Sequence, residues 1–220
     1  YGKEFRAYPE DALDVIVIGS SQAQYSFVPS FFYEDTGLYS YILGTACQPM
    51  EVSYEMLKEC LKTQSPKMVI LEVLTATPLK RICASDSCYV IAEYQMTGEE
   101  KYNTINYLDE EKAKSYYNDF LNYHNGWKTM TDYSVLCPAN VLNQSNVSYS
   151  ASFGYIFSQA IQEPANNWYP NRFTDLPEVE LDELTRKSLD NIYALCEEKG
   201  ITLYLYKTPM DSVDEEAQAY

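Results

Sequence analysis

The stretch Asp14-Val-Ile-Val-Ile-Gly-Ser-Ser21 constrains the fold more than any other part of the chain. Its apolar residues are continuous and β-branched rather than alternating, the pattern of a strand covered on both faces within a parallel sheet. The break at Gly19-Ser20-Ser21 ends that strand and delivers a serine to the open end of the sheet.

The residues that follow repeat the theme. Val28-Pro29 can open a short helix through Phe31, Phe32 and Tyr33, because proline fits a first helical turn, and Gly37 can stop it. Tyr39 to Leu43 reads as a second strand ending at Gly44. Between Pro49 and about Thr63, Met56, Leu57, Cys60 and Leu61 recur at three- and four-residue steps, which marks an amphipathic helix that Ser65-Pro66 ends. Met68-Val-Ile-Leu-Glu-Val73 is a third strand. The order strand, helix, strand, helix, strand predicts right-handed crossovers and a parallel sheet. Regularity returns at the far end, where Leu181, Leu184, Leu189, Ile192, Leu195 and Cys196 form a helical stripe capped by Gly200. Ile201 to Tyr206 is then a strand, Lys207 to Asp211 its exit loop, and Ser212 with Glu215 has the capping-box spacing of another helix.

Between these parts the rhythm is lost. Residues 75–171 hold an expected helix from Asp109 to Tyr123, a polar tract from Asn140 to Ser152 and many aromatics. The glycosylation-type tripeptides at Asn143 and Asn146 are too common by chance to weigh. The expected organisation is one domain over 1–220 with an aromatic-rich, irregular insertion at 75–171, since an insertion of this size more often shapes a substrate site than lies idle. The fold class is α/β, a three-layer α/β/α sandwich with a mostly parallel central sheet.

Charge narrows the partners. Sixteen basic residues against 32 acidic give a formal charge of −16, and no stretch concentrates Lys and Arg for phosphate neutralisation, so nucleic acid is not an expected partner. The acidity reads first as a soluble, self-repelling surface. The 22 tyrosines suit cleft rims and sugar-stacking platforms, although most fit half-buried strand and helix positions. Cys47, Cys60, Cys83, Cys88, Cys137 and Cys196 lack paired zinc-type spacing, so no metal or other cofactor is expected. Cys83 and Cys88 could close a small loop outside the cell; the other four read as isolated core residues. No run of about 18 apolar residues and no basic-then-apolar leader is present. The chain opens on Tyr1-Gly-Lys and stops at Tyr220 within an expected helix, which reads as a processed or incomplete sequence.

Ligands of open α/β sheets bind beyond the carboxyl ends of the strands. Four such ends can be read, at Gly19–Gln22, Gly44–Gln48, Leu74–Thr77 and Thr208–Asp211. A serine there becomes a nucleophile if a base takes its proton and backbone amides hold the oxyanion, and Gly44 lets a carbonyl oxygen approach closely. The same Gly-Ser-Ser turn is also ordinary loop chemistry. It lacks the glycines and lysine of a phosphate-cradling loop.

Ile18-Gly19-Ser20-Ser21-Gln22, with Tyr25-Ser26-Phe27 and Pro29 behind it, resembles the first block of the SGNH (GDSL-type) hydrolase superfamily, whose sheet is flavodoxin-like. The resemblance places the nucleophile at Ser21, with Ser20 in the aspartate's position and Ser20 and Gln22 beside the substrate. Leu43-Gly44-Thr45-Ala46-Cys47-Gln48-Pro49 resembles the second block, which implies an oxyanion-hole amide from Gly44. Gln48-Pro49 with the following helix, and then Pro66 to Val73, are similar to a bacterial cell-surface subgroup related to teichoic-acid D-alanine transfer and polysaccharide O-acetylation proteins. The resemblance covers 11–75 and 181–212. It implies a serine-dependent esterase or O-acyltransferase for a surface glycan or polymer, outside a bacterial membrane behind an N-terminal anchor. Two departures stand out. Glu72-Val-Leu-Thr75 replaces the Gly-x-Asn-Asp block, leaving Gln48 as a substitute amide donor. No Asp-x-x-His is present, and the one histidine is His124; the expected place of the missing block is beyond Tyr220, with His124 as the rival base. The alternatives are an inactive module that binds a glycan or a membrane-bound acyltransferase, and a flavodoxin-like ligand-binding domain.

Overall fold

In the computed structural model, residues 5, 8–76, 96–108, 153–156 and 181–208 are described. The expected helix 109–123, His124, the Asn143 and Asn146 tripeptides, Cys83, Cys88, Cys137, the Pro209–Asp211 end of the last exit loop and the helix from Ser212 lie outside these residues.

Among the described residues ten elements follow in order: strand β1 (Val15–Gly19), helix α1 (Ser21–Ser26), helix α2 (Pro29–Thr36), strand β2 (Ser40–Gly44), helix α3 (Met50–Cys60), strand β3 (Met68–Glu72), a 3-10 turn (Leu74–Ala76), helix α4 (Gly98–Leu108), helix α5 (Glu183–Lys199) and strand β4 (Thr202–Tyr206). The four strands form one parallel sheet in the order β2-β1-β3-β4. The fold is therefore α/β with a parallel sheet, as the unbroken apolar runs require. β1 and β2 are buried along their whole length, which is why neither alternates polar with apolar residues.

Each face of the sheet has its own partners. Ile16 and Ile18, Tyr41 and Leu43, and Val69 and Leu71 share a core with Met56, Leu57 and Cys60 of α3, Ile105 of α4, and Ile192 and Cys196 of α5. Each such aliphatic side chain withdrawn from water contributes about 1.5–3 kcal/mol. On the other face Val17 and Ile42 pack with Ala23 of α1, flanked by Phe27, Ile70, Tyr155 and Tyr206.

Local chemistry sets the helix ends. Gly37 and Gly200 close α2 and α5 in the left-handed region, at φ 72 and φ 68. Asp182 caps α5 by accepting from the Leu184 and Thr185 amides. Buried Gln64 joins the loop before β3 to the segment entering β1: its Oε1 accepts from the Ala12 and Leu13 amides, and its Nε2 donates to Pro9 O. α4 is fastened to α3 by charge. Glu100 of α4 pairs with Lys58 of α3 and with Lys62 just beyond it, while Glu55 and Glu59 pair with the same two lysines from the α3 side. Burial pushes the Glu55 carboxyl up despite Lys58; burial also pushes Glu100 up, but the Lys62 hydrogen bond, its own backbone amide and the charges of Lys62 and Lys58 together outweigh it and hold it low.

The two edges of the sheet differ. Beside β2, the Ile42 amide donates to Phe153 O at 2.9 Å and Ile156 N donates to Gln24 O at 2.9 Å, so residues 153–156 line that rim. Gly154 makes this possible. It sits at φ 85, and a Cβ there would overlap the Ile42 carbonyl oxygen. β4, at the other edge, leaves Tyr204 and Leu205 exposed.

Two helices depart from the sequence expectation. Ser21 does not lie in a loop but begins α1, and α4 occupies part of the stretch expected to be irregular. Cys47 also differs, since it is half-buried in a turn at φ 51 rather than set in the core.

Candidate functional site at the carboxyl ends of the strands

The register aligns the last residue of every strand in one row, Gly44, Gly19, Glu72 and Tyr206, all on the face that α1 covers. The two glycines in this row decide where α1 sits. A Cβ at Gly19 would overlap Glu72 Cβ and lie 3.2 Å from Ala23 Cβ; one at Gly44 would lie 3.1 Å from Gln24 Cγ and from the carbonyl oxygens of Gly19 and Ser20. Without those side chains the helix comes down onto the sheet, Ala23 over Gly19 and Gln24 over Gly44.

α1 is short and polar, Ser-Gln-Ala-Gln-Tyr-Ser, and it is held at both ends. At its start, Ser20 is the N-cap: its Oγ accepts from the Gln22 amide at 3.2 Å. The same hydroxyl donates to Glu72 Oε2 at 2.6 Å, and the Ser20 amide donates to that oxygen at 3.1 Å. Glu72 Oε1 accepts from the Leu74 amide at 2.6 Å. At the far end of α1, the Ser26 hydroxyl meets Tyr206 Oη at 3.4 Å and Thr208 Oγ1 at 3.3 Å. Burial pushes the Tyr206 phenol up, the Ser26 hydrogen bond opposes this, and the nearby charge of Glu72 adds to the rise. Tyr206 therefore stays a neutral hydroxyl, able to donate or accept.

The adjacent serines are separated by this arrangement. Ser20 is 2 % exposed and committed to Glu72 and to the helix cap. Ser21 is half-buried, occupies the first helical position, and its amide and hydroxyl make no hydrogen bond among the described residues. First-turn amides of a helix have no partner within the helix, so the Ser21 N–H is available to an oxygen placed above it. Gln22 follows on the same turn, half-buried.

The second strand end places the remaining sequence candidates. The Thr45 amide turns back to Gly19 O at 3.3 Å, whereas Ile42 N–H addresses Phe153 on the outer rim. Strand parity gives the Gly44 amide the same sense as that of Ile42. What Gly44 gives the site is thus clearance beside the Gly19 and Ser20 carbonyls. Gln48 is drawn away: fully buried, it donates from Nε2 to Ser53 Oγ at 2.9 Å, so its amide is engaged in the first turn of α3. Its backbone oxygen accepts from Thr75 Oγ1 at 2.6 Å, which ties the loop after β3 to the loop after β2.

The structure therefore brings together Ser20, Ser21, Gln22 and Gly44, and holds the Gln48 side chain in the core. It adds Glu72, Tyr206, Ser26 and Thr208. The signal for Glu72 was present as a lone carboxylate inside an apolar strand, a residue type almost never buried unless paired. Among the described residues no group of three or more His, Cys, Asp or Glu could hold a metal ion, and no helix is long and apolar enough to cross a membrane.

No family model, curated protein or solved structure matches the chain.

Proposed function

We propose that the chain is an SGNH-type serine esterase or O-acyltransferase, and that Ser21 is its nucleophile. The observation that carries this reading is the division of labour between the two serines: Ser20 is spent on Glu72 and the helix cap, while Ser21 stands half-exposed at the strand end with its hydroxyl and amide uncommitted among the described residues. On this reading the sheet is the centre of a three-layer α/β/α sandwich, and 75–171 is an insertion that presents substrate.

In the proposed reaction Ser21 Oγ bonds to the acyl carbon of an ester, and its proton passes through a base to the alcohol oxygen that leaves. A water or sugar hydroxyl then gives its proton to the base, takes the acyl group, and returns Ser21 to its starting state. The base implied by the resemblance is a histidine held by an aspartate. The Ser21 amide faces the oxyanion; a single donor of this kind stabilises a transition state by roughly 3 kcal/mol. The substrate class is an acylated cell-surface polysaccharide or teichoic-acid-like polymer, whose sugar faces stack on tyrosine rings, and the proposed location is the outer side of a bacterial membrane behind an N-terminal anchor.

A second reading is an inactive module that grips such a glycan or a membrane-bound acyltransferase. It is favoured by Glu72-Val-Leu-Thr75 standing where the family's Gly-x-Asn-Asp block would supply an oxyanion-hole asparagine. A fluorophosphonate probe applied to the full-length protein separates the two. Labelling at Ser21 that survives Ser20→Ala and vanishes in Ser21→Ala is the expected result. Absence of labelling alongside retained glycan binding would establish the module instead.

A further inference from the structure

The proposed chemistry at Ser21 does not use Glu72, yet this carboxylate is fully enclosed and is the most connected side chain at the strand ends. Oε2 takes both the amide and the hydroxyl of Ser20, and Oε1 takes the Leu74 amide. Two bonds from one residue to one oxygen fix the Ser20 backbone and its side-chain rotamer together. The Ser20 hydroxyl must then direct its proton at Glu72 and its lone pair at the Gln22 amide, which sets the first turn of α1 on either side of Ser21. Through Leu74 the same carboxylate holds the loop after β3, and Thr75 extends that hold to Gln48 O in the loop after β2.

We infer that Glu72 is a positioning residue for Ser21: it laces the loops after β1 and β3 into one rigid unit and thereby sets the reactivity of the Ser21 hydroxyl and amide. The inference rests on the reading of Ser21 as nucleophile. Only an acceptor at both oxygens satisfies the site. A Glu72→Gln side chain fills the same volume but presents an NH2 group to the Ser20 amide or the Leu74 amide, donor against donor, so one anchor is lost while packing is kept. A misplacement near 1 Å at a reacting group costs up to about 100-fold in rate.

The test uses full-length protein and measures the inactivation constants kinact and KI for fluorophosphonate at Ser21, with amide hydrogen exchange at Ser20, Ser21 and Leu74. Glu72→Gln is expected to lower kinact roughly 10- to 100-fold with KI little changed, and to speed exchange at Ser20 and Leu74. Ile192→Ala, which loosens the opposite core, is expected to lower stability and leave kinact unchanged, a split that a merely structural role for Glu72 would not produce. Wild-type kinact in Glu72→Gln overturns the inference. If wild-type protein is not labelled at all, it is the nucleophile reading that fails, and exchange then judges the lacing: unchanged protection at Ser20 and Leu74 in the variant overturns that as well. Should Glu72→Gln not fold, Ser20→Ala removes one bond of the same set and is expected to lower kinact several-fold; no change would count against Glu72.

Discussion

Leu71 and Glu72 are consecutive and equally enclosed, and they belong to opposite faces of one sheet. Leu71 enters the apolar core under α3, α4 and α5, where stability comes from area removed from water and no single direction matters. Glu72 enters the strand-end row beneath α1, where stability comes from three aimed hydrogen bonds and from glycines that make room for them. The first kind of order holds a fold together; the second fixes positions of individual atoms. A site that must place a serine relative to a substrate needs the second kind.

The largest expected effect lies on the apolar face. Leu71→Ala should lower the unfolding free energy by about 2–5 kcal/mol, read by urea denaturation, while folded protein keeps wild-type labelling at Ser21. A matching loss of labelling in folded protein would break the separation of the two faces.

Gly19→Ala should cost about 1–3 kcal/mol, because its methyl group has no free space between Glu72 and Ala23 and must push the strand end or α1 aside. Here stability and Ser21 reactivity should fall together, in contrast to Leu71→Ala. Ser20→Ala, which deletes the cap of α1 and the hydroxyl bond to buried Glu72, should cost about 1–3 kcal/mol by the same measurement.

The smallest effect should come from the far end of β1. Asp14 accepts from the Tyr39 amide and from Lys67 Nζ, and the Lys67 hydrogen bond, followed by that of Tyr39, holds its carboxyl below the usual range. Because the folded value is the lower one, this stabilisation is full above the ordinary aspartate range and is lost as pH falls through the folded value. Lys67 is 77 % exposed, so Asp14→Asn should cost only roughly 0.2–1 kcal/mol at neutral pH. The cost should vanish in acid, and a penalty that persisted there would show that the amide bond to Tyr39, not the charge, carries the contribution.

The apolar face was legible in the sequence because burial leaves a pattern. The runs 15–18 and 68–71 and the stripes of α3 and α5 announce strands and helices directly, and Gly37 and Gly200 mark helix ends. The laced face was not, because its order depends on groups brought together from distant parts of the chain. α1 has no apolar stripe and is held in place by Gly19, Gly44, Glu72 and Tyr206. α4 presents Ile105 to the core and meets Lys62 through Glu100, a pairing that its own sequence does not announce. The sequence separated Ser21 from Ser20 through the resemblance alone; the physical difference between the two hydroxyls lies in the partner on β3. Glu72 itself read as a departure from a motif, where the structure makes it the hub of the strand ends.

The rim of β2 carries a consequence for how the chain is made. β1, β2 and β3 can pair as soon as residues 15–72 have left the ribosome, but the acceptor for the Ile42 amide is Phe153, and the glycine that lets it approach comes next. Until that late segment arrives, the outer edge of β2 is an unpaired template that another nascent chain can extend. Closing it requires a contact of long sequence separation, which slows folding. Gly154 therefore bears on yield as much as on stability: a substitution there would leave the edge open for longer, and its first symptom would be aggregation during synthesis.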